Sequence, residues 1–337
     1  MSDELSPRKT TGRSIILTVA QHKGGEGKTT ITRMLGEYAA KAGYQVLLID
    51  TDDQCSLSRR FLKMEENPAD LQDTIPPVHP DWTQEDDAQQ ARTSIVSLYD
   101  GTGVWPYPVG QRDKEGGTNL WLIPSTGSAL RALKEARRQD EIKEQLRKFL
   151  RLPDVQSEYD LILIDTPPNK EKITMSAIRA STHMLIPTQL QSQSVEGLNG
   201  MLQAWRAEQR VRSDEDRIEL IGILPNRTQS VALQQGILAS MQQNVSIAPF
   251  LMETMIPLRT GIAEADHPRA DPQSVFNLPE TSEVRLVCES ACAKVFQRIG
   301  LPVPDFNRTE PSPDSTKQNK SRAPAKKVSA TKKGKSK

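Results

Sequence analysis

Apolar residues in this chain fall into two patterns. Short, nearly continuous runs occur at residues 14–20, 44–50, 119–124, 159–165, 183–187 and 218–224, and each reads as a β-strand. The run at 44–50 is of the kind found where a parallel strand is covered on both faces. Between the runs, apolar positions recur at helical spacing. Ile31, Met34, Leu35 and Tyr38 predict a helix over 31–42, and Leu130, Leu133, Ile142, Leu146 and Phe149 predict one long helix over 127–150. Val195, Leu198, Met201, Leu202 and Trp205 mark another over 194–212. Val284, Val287, Cys288, Ala291 and Val295 mark a closing helix over 281–299. Shorter helical pieces are expected at 56–61 and 93–99. Strands and helices in this order predict an α/β fold, a doubly wound, mostly parallel sheet with helices on both faces.

The same pattern sets the domain limits. Residues 1–13 are polar and read as a disordered N-terminus, and 14–303 read as one domain. Residues 304–337, rich in Pro, Ser, Thr and Lys, read as a disordered basic tail because that composition cannot bury a core. Within the domain, 65–117 interrupts the periodicity with Pro, Asp and Gln, and with Trp82, Trp105 and Tyr107 scattered through it. A loop of that length is usually functional or disordered. It is read as an insertion facing a partner or a second subunit.

The junction of the first strand and first helix carries the chemistry. Gly27, Lys28 and Thr29 match the end of the pattern G-x-x-x-x-G-K-[ST], although Gln21 or His22 stands where its first glycine belongs. A strand, a Gly-rich turn and a helix N-terminus together aim backbone N–H groups at an anion. On this reading Gly24, Gly25, Glu26, Gly27 and Thr30 line a nucleotide's phosphates. Lys28 reaches the β- and γ-phosphates, and the Thr29 hydroxyl ligates Mg²⁺. A carboxylate at Glu26 is unfavourable there unless it points away or meets a cation. Two later strands end in acid, at Asp50-Thr51-Asp52-Asp53-Gln54 and at Asp165-Thr166-Pro167-Pro168. Ligands in such sheets sit at the carboxyl ends of the strands. Asp50 and Asp52 are therefore expected to face the phosphates, and Asp50 and Asp165 to hold Mg²⁺ directly or through water.

Composition narrows the picture further. No apolar run approaches the ~20 residues needed to span a membrane, and residues 1–13 lack the apolar segment of a secretory signal. Cys55, Cys288 and Cys292 include no C-x-x-C pair and read as reduced cytosolic thiols, the last two packed in the core. The overall charge of +1 conceals an asymmetry: residues 317–337 hold nine Lys or Arg and no acid, so the rest of the chain nets −8. Such a tail is attracted to polyphosphate, or serves only to solubilise.

Lys23 places a second lysine ahead of the glycines, and Lys23-Gly24-Gly25-x-Gly27-Lys28-Thr29-Thr30 resembles the deviant Walker A motif of the ParA/MinD family of ATPases. The Asp50–Gln54 segment resembles that family's D-x-D-P-Q, with Asp53 in place of the proline. The stretch 159–168 resembles its Walker B strand, with smaller likenesses at Val195-Glu196-Gly197-Leu198 and within 254–265. The resemblance covers roughly residues 14–300 and is nearest to the short-form ParA partition proteins, because 1–13 is too short for a helix-turn-helix domain.

The resemblance implies a cytoplasmic, nucleoid-associated ATPase that uses ATP and Mg²⁺ and separates plasmid or chromosome copies. It would form an ATP-sandwich homodimer in which Lys23 reaches the partner's nucleotide and Asp52 orients the attacking water. Asn226 would lie by the adenine. The dimer would bind DNA non-specifically and leave it on slow hydrolysis, stimulated by a ParB-like centromere-binding protein. Candidate DNA contacts are Arg206, Arg210 and Arg212, and Lys326, Lys327, Lys332 and Lys333 of the tail. The three arginines equally suit a solvated basic helix end. Three alternatives share the superfamily. A MinD-like membrane-associated regulator is opposed by a tail without Leu, Phe or Trp beyond Phe306. An iron–sulfur carrier needs paired cysteines near the dimer interface. A positioning scaffold would bind nucleotide without hydrolysing it.

Overall fold

The computed structural model describes residues 13–110, 117–135, 139–168, 172–267, 274–304 and 306. Its strands are β1 (Ile15–Val19), β2 (Val46–Asp50), β3 (Glu65–Asn67), β4 (Asp70–Ile75), β5 (Tyr107–Pro108), β6 (Leu120–Ile123), β7 (Leu161–Asp165), β8 (His183–Thr188), β9 (Glu219–Thr228) and β10 (Ile256–Pro257). Its helices are α1 (Lys28–Lys41), α2 (Ser56–Phe61), α3 (Ile95–Tyr99), α4 (Gly127–Glu135), α5 (Gln139–Leu150), α6 (Pro153–Glu158), α7 (Lys172–Ala180), α8 (Ser192–Arg210), α9 (Ala232–Gln243), α10 (Thr260–Ala265) and α11 (Glu283–Arg298). Eight strands form one sheet in the order β10-β9-β8-β1-β7-β2-β6-β5, and β3 and β4 form a separate hairpin. Every pairing in the large sheet is parallel except that of the edge strand β5. The chain enters at the centre with β1, winds outward to β2 and β6 on one side, and returns through β7 to β8, β9 and β10 on the other. This is the expected doubly wound fold. Its reversal of winding beside β1 opens a crevice at the carboxyl ends of the strands.

Successive strand residues point to opposite faces, and both faces are covered. Leu17, Val46, Leu48, Leu161 and Leu163 pack with residues of α1 and α11, whereas Ile16, Leu47, Ile49, Ile162 and Ile164 pack with residues of α3, α5 and α7. That is why the strands read as continuous apolar runs. Helix α1 lies so close to the sheet that a Cβ on Gly36 would stand 2.7 Å from Leu48 Cδ2.

Several expectations change. The helix read over 127–150 is described on either side of residues 136–138, which lie outside the described residues, as α4 and α5. Helix α9 had no legible amphipathic pattern, because no charged residue occurs between Thr228 and Met252, and it buries only Gln234 and Met241. The nine-residue α7 was too short to stand out. Where a long loop was read, residues 65–110 contribute the hairpin, α3 and an edge strand. Ser94 and Ser97 form a reciprocal capping box at α3. His79 stacks on Trp105 with ring centroids 4.3 Å apart, and the Tyr107 hydroxyl donates to the Pro77 carbonyl at 2.8 Å. Asp73 of the hairpin accepts the Ser128 N–H at 3.0 Å, within the first turn of α4. The expectations for residues 1–12 and 307–337, including Lys326, Lys327, Lys332 and Lys333, lie outside the described residues.

Helix α8 is fastened to α7 by buried charge. The carboxylate of buried Glu208 accepts Arg212 Nε at 3.1 Å and Arg179 Nε at 3.3 Å. The Arg212 guanidinium also donates to the carbonyls of Ile178, Arg179, Ser181 and Asp216, which leaves its side chain 1% exposed. Removing one partner of such a pair strands the other charge. Arg212→Ala is expected to cost about 3 kcal/mol of stability, with Arg212→Lys restoring only part, since an ammonium cannot copy the planar fork. Urea unfolding measures both, and a wild-type midpoint for Arg212→Ala would refute the assignment.

Candidate active site

The site forms where β1 ends and the chain turns into α1. Gly25 and Gly27 take left-handed backbone angles, with φ of 80° and 88°, which glycine adopts without a Cβ penalty. Gly27 is the N-cap of α1, makes no side-chain cap, and is followed by a first turn with no acidic residue. The first N–H groups of α1 are thus left for an anion.

Acidic side chains face this helix end. Asp50 and Asp165 end adjacent strands and are register partners. The Thr51 hydroxyl donates to the Asp165 carbonyl at 2.6 Å, and the Thr166 hydroxyl donates to the Val19 carbonyl at 2.9 Å. These bonds lock β2, β7 and β1 together at their carboxyl ends. Asp165 Oδ2 accepts the Thr29 hydroxyl at 2.7 Å, while the buried Asp165 Oδ1 has no hydrogen-bond partner. Burial, and then Asp50, push the Asp165 carboxyl well above the usual range, against the Thr29 hydroxyl and Lys28. Burial lowers the pKa of Lys28, and Asp165, Asp52 and Glu26 oppose that shift. An unpaired buried carboxylate oxygen beside a threonine hydroxyl fits a hard divalent cation. Mg²⁺ typically takes one or two carboxylates and completes its shell with water and phosphate oxygens. Among the described residues no cluster of three or more His, Cys, Asp or Glu side chains could hold a metal without such help.

Asp50 and Asp52 are placed differently from one another. Asp50 Oδ2 accepts the Ser58 N–H at 2.9 Å and the Ser58 hydroxyl at 2.7 Å, and Oδ1 accepts the Asp52 N–H at 3.0 Å. Burial raises its pKa to about 6. These three bonds make Asp50 the anchor that holds α2 and the turn to the site. Asp52 accepts the Gln54 N–H at 3.0 Å, which fixes the turn and keeps its carboxylate with Lys28 and Asp165.

The remaining loop residues have specific partners. The Glu26 carboxylate is buried and turned toward the segment between β8 and α8, where it accepts the Gln189 N–H at 2.5 Å and the Ser194 hydroxyl at 2.8 Å. It thus points away and stands 3.7 Å from Lys23 Nζ, a cation. Thr30 donates its hydroxyl to Asp266 at 2.5 Å, and Arg33 Nε lies 2.7 Å from the same carboxylate. A contribution of Thr30 to phosphate binding is therefore left to its backbone N–H. Asn226 Nδ2 donates to the Glu26 carbonyl at 2.8 Å, so this side chain supports the loop from below.

Residues missed in the sequence are Gln189, Gln191, Ser194 and Asp266. The first three follow the carboxyl end of β8, and that position was the available signal. Arg206 and Arg210 are on the outer part of α8, and both are exposed. Arg210 lies about 24 Å along the helix axis from Ser194, so these arginines are not part of this site. Arg212 is corrected outright: its guanidinium is consumed by Glu208 and four carbonyls, leaving no free face for a DNA phosphate. The three cysteines are buried, and burial pushes the Cys55 and Cys288 thiols up to about 12.

A family profile described as an AAA domain matches residues 14–216, more than half of the chain. The sporulation initiation inhibitor protein Soj of Bacillus subtilis is 28% identical over 252 residues, spanning 74% of this chain and 87% of that protein. The chromosome-partitioning ATPase Soj of Thermus thermophilus is 26% identical over 254 residues, spanning 74% of this chain and 83% of that protein. The chain belongs to the ParA/MinD family of partition ATPases. The fold agrees: the ATP complex of a Cyanothece McdA variant superposes with a TM-score of 0.66 at 20% identity, covering 87% of this chain and 99% of that one. No helix among the described residues is long and apolar enough to cross a membrane.

In this ParA/MinD-family loop the glycines are not equivalent. A Cβ on Gly27 would stand 2.1 Å from Asn226 Nδ2 at a positive φ, whereas a Cβ on Gly24 meets nothing closer than 3.8 Å. Gly27→Ala is expected to lower the nucleotide-free melting temperature and abolish nucleotide binding. Gly24→Ala should leave the nucleotide-free stability within about 0.5 kcal/mol of wild type. Thermal melts with and without ATP test this contrast, and equal behaviour of the two variants would contradict it.

Proposed function

We propose that this chain is an Mg²⁺-dependent ATPase of the partition type. In this reading it dimerises around ATP, binds DNA without sequence preference in that state, and leaves the DNA on hydrolysis. A ParB-like centromere-binding protein stimulates the hydrolysis. The observation that carries the reading is the gathering of Lys28, Thr29, Asp52 and Asp165 at the uncapped N-terminus of α1. Family membership supports nucleotide hydrolysis, and the named relatives support partition as its use.

Phosphoryl transfer asks little covalent chemistry of a protein and much positioning and charge stabilisation. Here the N–H groups of α1 and Lys28 bind the phosphates, and Thr29 with Asp165 Oδ1 would hold Mg²⁺. Bound Mg²⁺ would neutralise developing charge on the transferred group. Asp52, held by its bond to Gln54 with its carboxylate beside Lys28 and Asp165, orients the attacking water. DNA contacts are assigned to Arg206 and Arg210 and to the cations of 317–337, which would keep the ATP-bound protein on the nucleoid.

ATPase assays with DNA and the partner protein test the function directly. Lys28→Ala is expected to lose ATP binding in a nucleotide titration. Asp52→Ala should still bind ATP and dimerise, yet turn over at least about 100-fold more slowly. Normal turnover with a lowered melting temperature would reduce Asp52 to a turn-former. Deleting residues 317–337 should weaken DNA binding and flatten its dependence on salt, since each neutralised phosphate contributes about 0.9 to the slope. An equal slope with and without the tail would remove it from the DNA interface.

A further inference from the structure

The two-lysine loop places Glu26, a fully buried carboxylate, between its glycines. The Glu26 side chain accepts the Gln189 N–H at 2.5 Å and the Ser194 hydroxyl at 2.8 Å, and its counter-charge is Lys23 Nζ at 3.7 Å. Lys23 Nζ itself donates to Gln191 Oε1 at 2.8 Å and to Ser194 Oγ at 3.3 Å. Gln191 Nε2 donates in turn to Gln189 Oε1 at 3.0 Å, and Gln189 Nε2 donates to the Gly25 carbonyl at 2.7 Å. The backbone of Glu26 is held from the other side by Asn226. The result is a closed network within one subunit that joins the phosphate loop to the segment between β8 and α8. Lys28, the other cation of the loop, interacts more strongly with Asp165 and Asp52 than with Glu26.

We propose that Glu26 is a positioning residue that parks Lys23 in a cradle of its own subunit, so that Lys23 must leave Glu26, Gln191 and Ser194 before it can serve a second subunit. The inference rests on the proposed ATP dimer for its consequence, but not for the cradle itself. A buried carboxylate that loses its counter-charge is destabilised, and this biases Lys23 toward the parked position. Only binding energy gained elsewhere, from nucleotide and the partner subunit, shifts that balance, because a ligand moves an equilibrium by its differential affinity for the two states. Glu26 therefore sets a threshold for dimerisation without touching the reacting phosphates.

The test uses the full chain in two arms. In the first, nucleotide-free protein is acylated at its amines and Lys23 labelling is followed by peptide mass spectrometry. Glu26→Gln keeps the shape of the side chain and removes its charge. It is expected to raise the Lys23 rate about fivefold, the scale of one partly exposed ion pair, with Lys41 unchanged. Ser194→Ala, which removes the hydroxyl shared by Lys23 and Glu26, should raise it as well. A purely structural role for Glu26 would not change Lys23 selectively, and wild-type labelling in both variants would overturn the cradle. In the second arm, sedimentation velocity with ATP should show Glu26→Gln dimerising at a lower protein concentration than wild type. An equal or weaker dimer would overturn the threshold. Absence of an ATP dimer in every variant would overturn the dimer reading and the threshold with it, while the labelling arm still decides the cradle.

Discussion

Asp50, Asp52 and Asp165 meet at the carboxyl ends of two adjacent parallel strands, and Lys28 is the cation that answers them. Register alone brings Asp50 level with Asp165, because both close strands of equal length that pair residue for residue. Burial then raises the pKa of each. The fold meets this strain unevenly. Ser58 and the Asp52 N–H satisfy Asp50, while one oxygen of Asp165 is left without a partner. Facing these acids is a helix end whose N–H groups no side chain caps. A polyphosphate carrying a divalent cation answers both halves of the site, since the anion meets the helix end and the cation meets the acids.

The rest of the architecture holds that arrangement in place. Thr51 and Thr166 tie the strand ends to one another, and Asn226 supports the loop from the end of β9. Asp266, just beyond α10, accepts the Thr30 hydroxyl and pairs with Arg33, whose side chain is 1% exposed. The first turns of α1 are thereby bound to a segment more than two hundred residues away in the chain. The hairpin of β3 and β4 reaches the same neighbourhood, because Asp73 binds the first turn of α4 and a Cβ on Gly127 would stand 3.0 Å from the Asp53 carbonyl. The interruption at 65–110 thus meets the same first turn of α4 that approaches the Asp53 carbonyl, next to Asp52.

Glu26 shows how one residue can read as a defect and be accommodated. A carboxylate inside a phosphate loop opposes the ligand by Coulomb repulsion. Turned toward Gln189 and Ser194, it instead contributes two hydrogen bonds and an ion pair to the seam between the loop and α8.

Local chemistry made the strand–loop–helix junction, the acid-tipped strands and the α/β class legible in the sequence. Apolar runs, glycine spacing and the order of elements are properties of a few neighbouring residues, and they survive without knowledge of the rest of the chain. Partner choice is a different kind of fact. Lys23 with Gln191, Glu26 with Ser194 and Thr30 with Asp266 pair groups that are each chemically able to bond elsewhere. Arg212 illustrates the difference: beside Arg206 and Arg210 it reads as one more surface cation, and only the packing of α8 on α7 turns it inward to four carbonyls and a buried acid. Helix α9 carries no charged residue and buries only Gln234 and Met241, so neither charge patterning nor a buried apolar face marks it in the sequence. Sequence determines which groups are available and on which elements they lie, whereas the crossing of the sheet's halves at β1 decides which of them come within bonding distance.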